Sequence, residues 1–258
     1  MQKKKTGAPT KAYKNAEFLM SPEARTIRML AEYIEPQARL ERQGVSRAII
    51  FWGSARIRPL KKGTVPFSQK DAKRGQSPPD YFQLATGLAE RLARWTVQSH
   101  EPADRFHFCC GGGPGIMEAT SKGVAVVDRR LNIGLNISLP FEQSVNDYVT
   151  PELAFEFHYF FMRKFWFMKL AEAMVVFPGG FGTFDELFEM LTLVQTGKIP
   201  PIPFVLIGRE FWNEAVNFEA LARRGLISRE DVDRLHFADS VDEAFAHLSQ
   251  QLSGASSP

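Results

Sequence analysis

The fold of this chain is decided by residues 175–186, which read VVFPGGFGTFDE. The β-branched and aromatic residues at the start of this stretch predict a buried strand, and the three glycines after Pro178 predict a sharp turn. A helix is expected to begin at Thr183. Glycines let backbone N–H groups approach a ligand, and the first turn of a helix adds donors and a partial positive charge. The stretch therefore predicts a strand–loop–helix corner that binds a phosphate group.

A carboxylate distinguishes this corner from a generic anion-binding loop. Glu186 lies in the predicted first turn of the helix, where the helix dipole favours the ionised form. Thr183 and Glu186 also have the spacing of a capping box, in which the glutamate only satisfies backbone N–H groups. The pattern leaves both alternatives open: a helix cap, or a fixed acid beside a phosphate.

Strands and helices alternate along the chain on both sides of this corner. The predicted strands are 47–52, 106–110, 132–139, 174–177 and 204–207, and the predicted helices follow Ser21 and cover about 81–95, 116–127, 158–172, 183–195, 210–223 and 241–252. This alternation predicts an α/β fold, a parallel sheet with helices on both faces. Ligands of such sheets bind at the carboxyl ends of the strands. The loops that start at Gly53, Gly111 and Gly179 are therefore expected to meet in one cleft.

The composition is that of an ordinary globular protein, with 258 residues, 44% hydrophobic and 24% charged. We expect residues 1–20 to be a flexible basic tail and residues 21–258 to form a single domain. Within that domain, residues 57–79 are rich in Lys, Gly, Ser, Pro and Gln, which predicts a mobile loop.

Charge and hydropathy narrow the classes of partner. The formal net charge is +3, and the excess lysines cluster in the tail and in the 57–79 loop. Neither cluster accompanies an aromatic stacking platform or a nucleic-acid motif, so no specific nucleic-acid partner is expected. No apolar leader follows the first lysines, and charged residues interrupt the aromatic stretch 153–170, which predicts a cytoplasmic protein without a membrane span. The five histidines lack metal-ligand spacing, and we expect neither a metal nor a cofactor.

A second glycine-rich loop, residues 111–115, follows the predicted second strand and reads GGGPG. It fails the G-x-G-x-x-G template of dinucleotide-binding folds because Ile116 stands where the third glycine should be. We interpret it as a loop that approaches a phosphate or a ribose.

The predicted helix 158–172 combines many aromatic residues with two cations, Arg163 and Lys164. Cations in so apolar a segment need a partner, which a phosphate or Glu186 would provide; a solvated face is the alternative. The aromatic area exceeds what one helix face can bury in its own domain. Because aromatic residues are enriched at interfaces, this helix is predicted to join subunits.

The combined motifs resemble one known family. Residues 179–186, with Arg163 and Lys164 upstream and the 111–113 glycines before them, are similar to the LONELY GUY family of nucleoside 5′-monophosphate phosphoribohydrolases, long described as possible lysine decarboxylases. The resemblance covers roughly residues 45–225. The tail, the 57–79 insertion and the 140–143 loop resemble the longer members of that family.

The resemblance implies a Rossmann-like fold, a homodimer or a multiple of dimers, and an active site near the interface. It makes Arg163 and Glu186 the catalytic pair, assigns the phosphate to the loop 180–183, and adds Lys164, Thr192 and Glu142 as substrate contacts. The other positions expected to line the substrate site are Gly53, Ser54, Gly111, Gly112, Gly113, Gly179, Gly180, Phe181, Gly182, Thr183, Phe184 and Asp185.

The expected reaction is hydrolysis of the N-glycosidic bond of a nucleoside 5′-monophosphate, either AMP or an N6-modified AMP of the cytokinin type. The transition state of such a reaction carries positive charge on the ribose and needs a nearby anion and an oriented water. An ionised Glu186 could supply both, while Arg163 clamps the phosphate or holds Glu186 in register.

Two other classes remain open. One is a non-catalytic nucleotide sensor or carrier on the same scaffold, against which the presence of both Arg163 and Glu186 argues. The other is a pyridoxal-dependent decarboxylase, although no lysine lies in a context that identifies a Schiff-base site.

Overall fold

The computed structural model describes residues 9–59, 79–139 and 145–253, and its framework is a seven-stranded sheet in which every pairing is parallel. The strand order is β4-β3-β2-β1-β5-β6-β7. The strands are β1 Ala48–Trp52, β2 His107–Cys110, β3 Asn132–Ile137, β4 Ala154–Phe157, β5 Ala171–Val176, β6 Phe204–Ile207 and β7 Leu235–Ala238. The predicted α/β fold with a Rossmann-like parallel sheet is confirmed.

Helices cover both faces of this sheet. They are α1 Ala16–Met20, α2 Arg25–Arg42, α3 Tyr81–Ser99, α4 Ile116–Ala125, α5 Phe160–Leu170, α6 Phe181–Gln195, α7 Arg209–Ala215, α8 Phe218–Arg223, α9 Arg229–Asp233 and α10 Val241–Ser253. Successive residues of a strand point to opposite faces, so Ile49 and Ile50 of β1 belong to different hydrophobic clusters. The Ile50 cluster includes residues of α2, α5, α6 and α7, whereas the Ile49 cluster includes residues of α3, α4 and α10.

The helix after the glycine corner begins earlier than the sequence predicted. Gly180 is the N-cap of α6, and Phe184 N–H donates to the Gly180 carbonyl at 3.1 Å. Thr183 is thus the third helical residue and Glu186 lies in the second turn, so the capping-box interpretation is wrong. The reason is that two of the three glycines suffice for the turn, and the third, Gly182, already belongs to the helix.

Two strands were not predicted. β4 and β7 are the edge strands of the sheet and have four residues each. Their residues alternate or mix in burial, so neither forms the continuous apolar run by which the inner strands were recognised. The predicted helix 210–223 is divided into α7 and α8, because Val216 is extended and Asn217 caps the second helix by accepting from Ala220 N–H at 2.8 Å.

The N-terminal segment is more regular than a flexible tail. Of the predicted tail, residues 9–20 are described, and they include α1 with Asn15 as its N-cap. Arg28 of α2 donates to the carbonyls of Leu19 and Ser21 at 2.7 Å each, which ties this segment to the next helix. Residues 1–8 of the tail and 60–78 of the predicted mobile loop lie outside the described part of the chain.

Candidate functional site

The loops after three neighbouring strands meet at the carboxyl edge of the sheet. β1 lies between β2 and β5, and the residues that follow these strands are joined by main-chain hydrogen bonds. Ser54 N–H donates to the Pro178 carbonyl at 3.0 Å, and Ile116 N–H donates to the Ser54 carbonyl at 3.2 Å. The prediction that the loops starting at Gly53, Gly111 and Gly179 converge is therefore confirmed.

Two glycines in the second loop are required by space as well as by backbone conformation. Gly112 and Gly115 have φ values of +69° and +75°, which side chains rarely adopt. A Cβ at Gly112 would lie 2.6 Å from the side-chain amide of Asn136, and a Cβ at Gly115 would overlap the Ser54 carbonyl. The side chain of Asn146 also donates to the Gly112 carbonyl, at 3.0 Å. The loop is thus packed tightly between β3, the segment after it and the first loop.

Arg163 and Glu186 form a buried ion pair beside these loops. Nη2 of Arg163 donates to Oε1 of Glu186 at 2.9 Å, and the two side chains are only 13% and 11% exposed. The guanidinium also lies 5.3 Å and 5.7 Å from the ring centroids of Phe160 and Phe167. Its Nη1 is 4.0 Å from the position a Cβ would take at Gly111. Arg163 therefore lies between the second glycine loop and the Glu186 carboxylate on α6. Glu186 is one of the two partners that the sequence predicted for this cation.

The electrostatic environment of Glu186 differs from the sequence expectation. Burial raises the pKa of Glu186 from 4.5 to about 7, although the positive charge of Arg163 acts in the opposite direction. The helix dipole was expected to keep this group ionised, but its influence is confined to the first turn, and Glu186 lies in the second. A carboxyl group that titrates near neutral pH can both accept and release a proton under physiological conditions.

Lys164, the other cation of α5, is paired with two carboxylates on α6. Its Nζ is 2.9 Å from the Asp185 carboxylate and 2.6 Å from Oε2 of Glu189. Burial alone would lower the pKa of Lys164, but the hydrogen bonds and charges of Glu189 and Asp185 raise it overall. The partner of this cation was predicted to be a phosphate or Glu186, and the structure instead uses Asp185 and Glu189.

An open groove of about 490 Å³ runs along the outer side of α6. Its lining combines aromatic rings with the Lys164 ion pairs, and consists of Lys164, Phe181, Phe184, Asp185, Phe188, Glu189, Thr192 and Leu193. The hydroxyl of Thr192 donates to the Phe188 carbonyl at 2.7 Å. Glu186 does not line this groove and is one of the buried residues of the helix, as is Leu187.

The predicted site residues consequently fall into two regions. The sheet edge brings together Gly53, Ser54, Gly111, Gly112, Gly113, Arg163, Gly179, Gly180, Gly182, Thr183 and Glu186, and the groove holds Lys164, Phe181, Phe184, Asp185 and Thr192. Glu142 lies outside the described residues. Thr192 and Glu186 are on different sides of α6 and do not meet within one chain.

The sequence did not single out three neighbours of the site. Glu189 was identifiable in principle, because it lies one helical turn after Asp185 and shares its face. Asn146 carried no distinguishing pattern. The third neighbour is Cys109, which is a buried free thiol at the end of β2. Burial raises the pKa of Cys109, and the negative charge of Glu186 acts in the same direction.

Two kinds of feature are absent from the described residues. No three His, Cys, Asp or Glu side chains are grouped as a metal site would require. None of the described helices has the length and apolar character needed to cross a bilayer.

Parts of the amino-acid sequence are similar to known proteins. A family model described as possible lysine decarboxylase matches residues 117–248. The pyrimidine/purine nucleotide 5′-monophosphate nucleosidase of Escherichia coli strain K12 is 28% identical over 161 residues, which is 57% of this chain and 33% of that protein. The match to the same protein of Escherichia coli O157:H7 has the same extent. The match thus spans only about a third of the length of these relatives.

The fold of this chain is also similar to that of solved structures. The molybdenum cofactor binding protein from the phototrophic bacterium Rippkaea orientalis superposes with a TM-score of 0.50 at 17% identity, covering 80% of this chain and 98% of that protein. At this level of identity the likeness concerns the fold alone.

Proposed function

Because this chain belongs to the possible lysine decarboxylase family, the family that its LONELY GUY-like motifs indicated, we propose that it hydrolyses the N-glycosidic bond of nucleoside 5′-monophosphates. The observation that carries the proposal is the pair of Arg163 and Glu186, joined at 2.9 Å, in which Arg163 lies near the second glycine loop and Glu186 is on the helix after the glycine corner. The similarity to a nucleotide 5′-monophosphate nucleosidase supports the same reaction.

The phosphate is proposed to bind at the N-terminus of α6. The first N–H groups of a helix have no intrahelical acceptor and carry partial positive charge. A Cβ at Gly180 or at Gly182 would meet nothing within 4 Å, so both positions face open space that a phosphate can fill. A nucleotide held there by its phosphate would extend its ribose toward the Arg163–Glu186 pair.

Glu186 is proposed to act on the ribose and on the attacking water. Water adds to C1′ while the C1′–N bond breaks, and the base leaves with the electron pair of that bond and takes up a proton. The ionised carboxylate would stabilise positive charge on the ribose or accept the proton of the water. Arg163 keeps the carboxylate oriented and favours its ionised form. AMP and N6-modified AMP of the cytokinin type are the proposed substrates.

The ion pairs of Lys164 argue against a pyridoxal-dependent decarboxylation, the reaction that the family description suggests. A lysine that forms a Schiff base must reach its neutral form, which a lowered pKa favours. Lys164 is instead held by Asp185 and Glu189, and its pKa is raised. This supports the nucleosidase reaction over a pyridoxal-dependent decarboxylation at this residue.

The molecule is also proposed to be a homodimer or a multiple of dimers. Ile27, Leu30 and Ile34 of α2 are 46%, 54% and 58% exposed, although their helical spacing is that of a buried stripe. The ring of Tyr33 lies 5.4 Å from that of Phe165 on α5, which joins this stripe to the exposed phenylalanines of α5. Contiguous apolar patches of this kind mark interaction surfaces. A second copy could also bring its Thr192 to the site of the first.

The deciding experiment is incubation of the purified protein with AMP, followed by chromatographic assay of adenine and ribose 5-phosphate. We expect release of both products, and loss of release in Arg163→Ala. The control is Arg229→Ala, which removes an exposed arginine that pairs with Glu219 and Asp233 on the surface. Binding of AMP without release would identify a nucleotide sensor or carrier instead, and absence of both would refute the proposal.

A further inference from the structure

Glu32 of α2 holds the start of the helix that carries Arg163. Its carboxylate accepts hydrogen bonds from two successive main-chain N–H groups, from His158 to Oε1 at 2.8 Å and from Tyr159 to Oε2 at 3.2 Å. Tyr159 is the N-cap of α5, and no side chain of α5 itself caps this end. A carboxylate at a helix N-terminus satisfies free donors and complements the helix dipole. Glu32 thus caps α5 from another helix.

The main chain of Glu32 makes a second contact with the same helix. Pro36, four residues later, is a buried residue inside α2. Proline has no N–H, so the Glu32 carbonyl lacks the partner that an α-helix normally provides. The indole N–H of Trp166 donates to this carbonyl at 2.9 Å, and Trp166 is buried. Side chain and main chain of one residue therefore contact α5 at two places, about one helical turn before Arg163 and one helical turn after it.

The link from Glu32 to Arg163 runs through a single residue. The N–H of Tyr159 donates to Glu32, and the carbonyl of Tyr159 accepts a hydrogen bond from the main-chain N–H of Arg163 at 3.2 Å. A tilt or loosening at Tyr159 would therefore move the base of the Arg163 side chain. The 2.9 Å contact to Glu186 leaves little room for such a movement.

We propose that Glu32 is a positioning residue for the Arg163–Glu186 pair, acting from α2 through the N-terminal end of α5. The inference rests on the proposed function, since that function gives the pair its catalytic role. It assigns a part in the site to α2, which precedes the residues 117–248 that the family model matches.

The pH dependence of catalysis separates positioning from mere stabilisation. Among the described residues, the charged and titratable groups that interact electrostatically with Glu186 are Arg163 and Lys164 from α5, Asp185 and Glu189 from α6, and Cys109 from β2. Of these, Arg163 donates a hydrogen bond to Glu186 and favours its ionised form. If α5 shifts and Arg163 withdraws, Glu186 becomes harder to ionise and the acid limb of the kcat profile moves to higher pH.

The test compares Glu32→Ala, Glu32→Gln and the control Glu35→Gln in the full chain with AMP as substrate. We expect Glu32→Ala to lower kcat about tenfold or more, because misplacement of a catalytic group by a fraction of an ångström has effects of this order. KM should change less, because the proposed phosphate site is at the N-terminus of α6 and not on α5. Glu32→Gln keeps the side-chain size and one acceptor oxygen and should lie between. Glu35 is on the same helix and pairs with Arg39, so Glu35→Gln should match the wild type.

A lower melting temperature with an unchanged kcat and an unchanged acid limb in both Glu32 variants would overturn the inference. If Glu32→Ala does not fold, Glu32→Gln decides by the same criteria. If the wild type releases no base from any nucleoside monophosphate, the proposed function has failed, and the positioning role is then tested by NMR titration of the ¹³C-labelled Glu186 carboxyl. A higher Glu186 pKa in Glu32→Gln supports the role, and an identical titration curve overturns it.

Discussion

The guanidinium of Arg163 on α5 donates a 2.9 Å hydrogen bond to the carboxylate of Glu186 on α6, and both side chains are almost excluded from solvent. In such a buried pair each charge depends on the other, and removal of one partner leaves the second uncompensated. The raised pKa of Glu186 shows that burial outweighs the attraction of Arg163. The hydrogen bond from Arg163 thus fixes the orientation of the Glu186 carboxyl group, and the pKa of that group is about 7.

Replacing Glu186 by Gln should abolish base release and leave AMP binding within about tenfold, since only ~1.4 kcal/mol of ground-state binding is assigned to this group. The amide keeps the size of the side chain but cannot take a proton or carry negative charge. Product assay and calorimetric titration with AMP measure the two quantities. The control, Glu219→Gln, makes the same chemical change on the exposed α8. Turnover at the wild-type rate in Glu186→Gln would remove Glu186 from the mechanism.

The rate should rise with pH through about 7. Burial raises the pKa of Glu186 to about this value, and the proposed mechanism uses the ionised form, so kcat should fall about tenfold per unit of pH well below it. Because a phosphate monoester itself titrates near pH 6, kcat is to be measured at saturating AMP at each pH. A kcat that stays constant from pH 5 to pH 8 would contradict a catalytic role for the ionised carboxylate.

The same pKa has a consequence for stability. In the unfolded chain Glu186 titrates near its ordinary value of 4.5, and in the folded protein near 7. Between these values the folded state binds more protons, so the contribution of Glu186 to the free energy of unfolding is fully present below the unfolded pKa and is lost as pH rises through the folded pKa. Denaturant unfolding of the wild type and Glu186→Gln should show a difference that grows in favour of the variant between pH 4.5 and 7. A difference independent of pH would be the contrary result.

The glycine corner should require the 5′-phosphate, so that adenosine reacts orders of magnitude more slowly than AMP. Gly182→Ala gives a sharper test, because a Cβ there meets nothing within 4 Å and alanine is the better helix former. We expect this variant to be at least as stable as the wild type and to bind AMP more weakly, since the methyl group occupies the proposed phosphate space. Thermal unfolding and AMP titration provide the two measurements. Equal kcat/KM for adenosine and AMP would refute the phosphate assignment.

Disrupting the apolar surface of α2 and α5 should reduce assembly and activity together. Phe161 and Phe165 are exposed on the helix that carries Arg163, so Phe161→Glu with Phe165→Glu is expected to give a monomer with strongly reduced AMP cleavage. Light scattering and product assay measure both. Leu226→Glu, at an exposed apolar residue between α8 and α9, is the matched control. A monomeric wild type with full activity would contradict the proposal.

The sequence predicted the parts of the fold that depend on local pattern. The five inner strands were recognisable because burial on both faces produces continuous apolar runs, and the meeting of three loops followed from their places at strand ends. The edge strands β4 and β7 were missed, because short, half-buried segments lack such runs. The residue at which α6 begins was also predicted wrongly, since nothing in a glycine-rich turn shows which glycine is the last one before the helix.

The contacts of the candidate site were less predictable than the meeting of its loops. From the residues alone, Glu186 was one of two partners expected for the cations of the aromatic helix, and the family resemblance singled out Arg163 and Glu186 as a pair. The partners of Lys164 and the contacts of Glu32 could not be predicted, since the latter join residues 126 and 127 positions apart. Such contacts are determined by how helices pack and leave no periodic trace in the sequence.

The hydrogen bonds from Ser54 to Pro178 and from Ile116 to Ser54 involve only main-chain atoms. The side chain of Ser54 makes a separate, local hydrogen bond, accepting from Arg56 N–H at 3.1 Å. A substitution at position 54 that keeps the main-chain N–H would remove this local bond and leave the connection between the loops in place. The architecture of the cleft is in this way uncoupled from the chemistry presented at its rim.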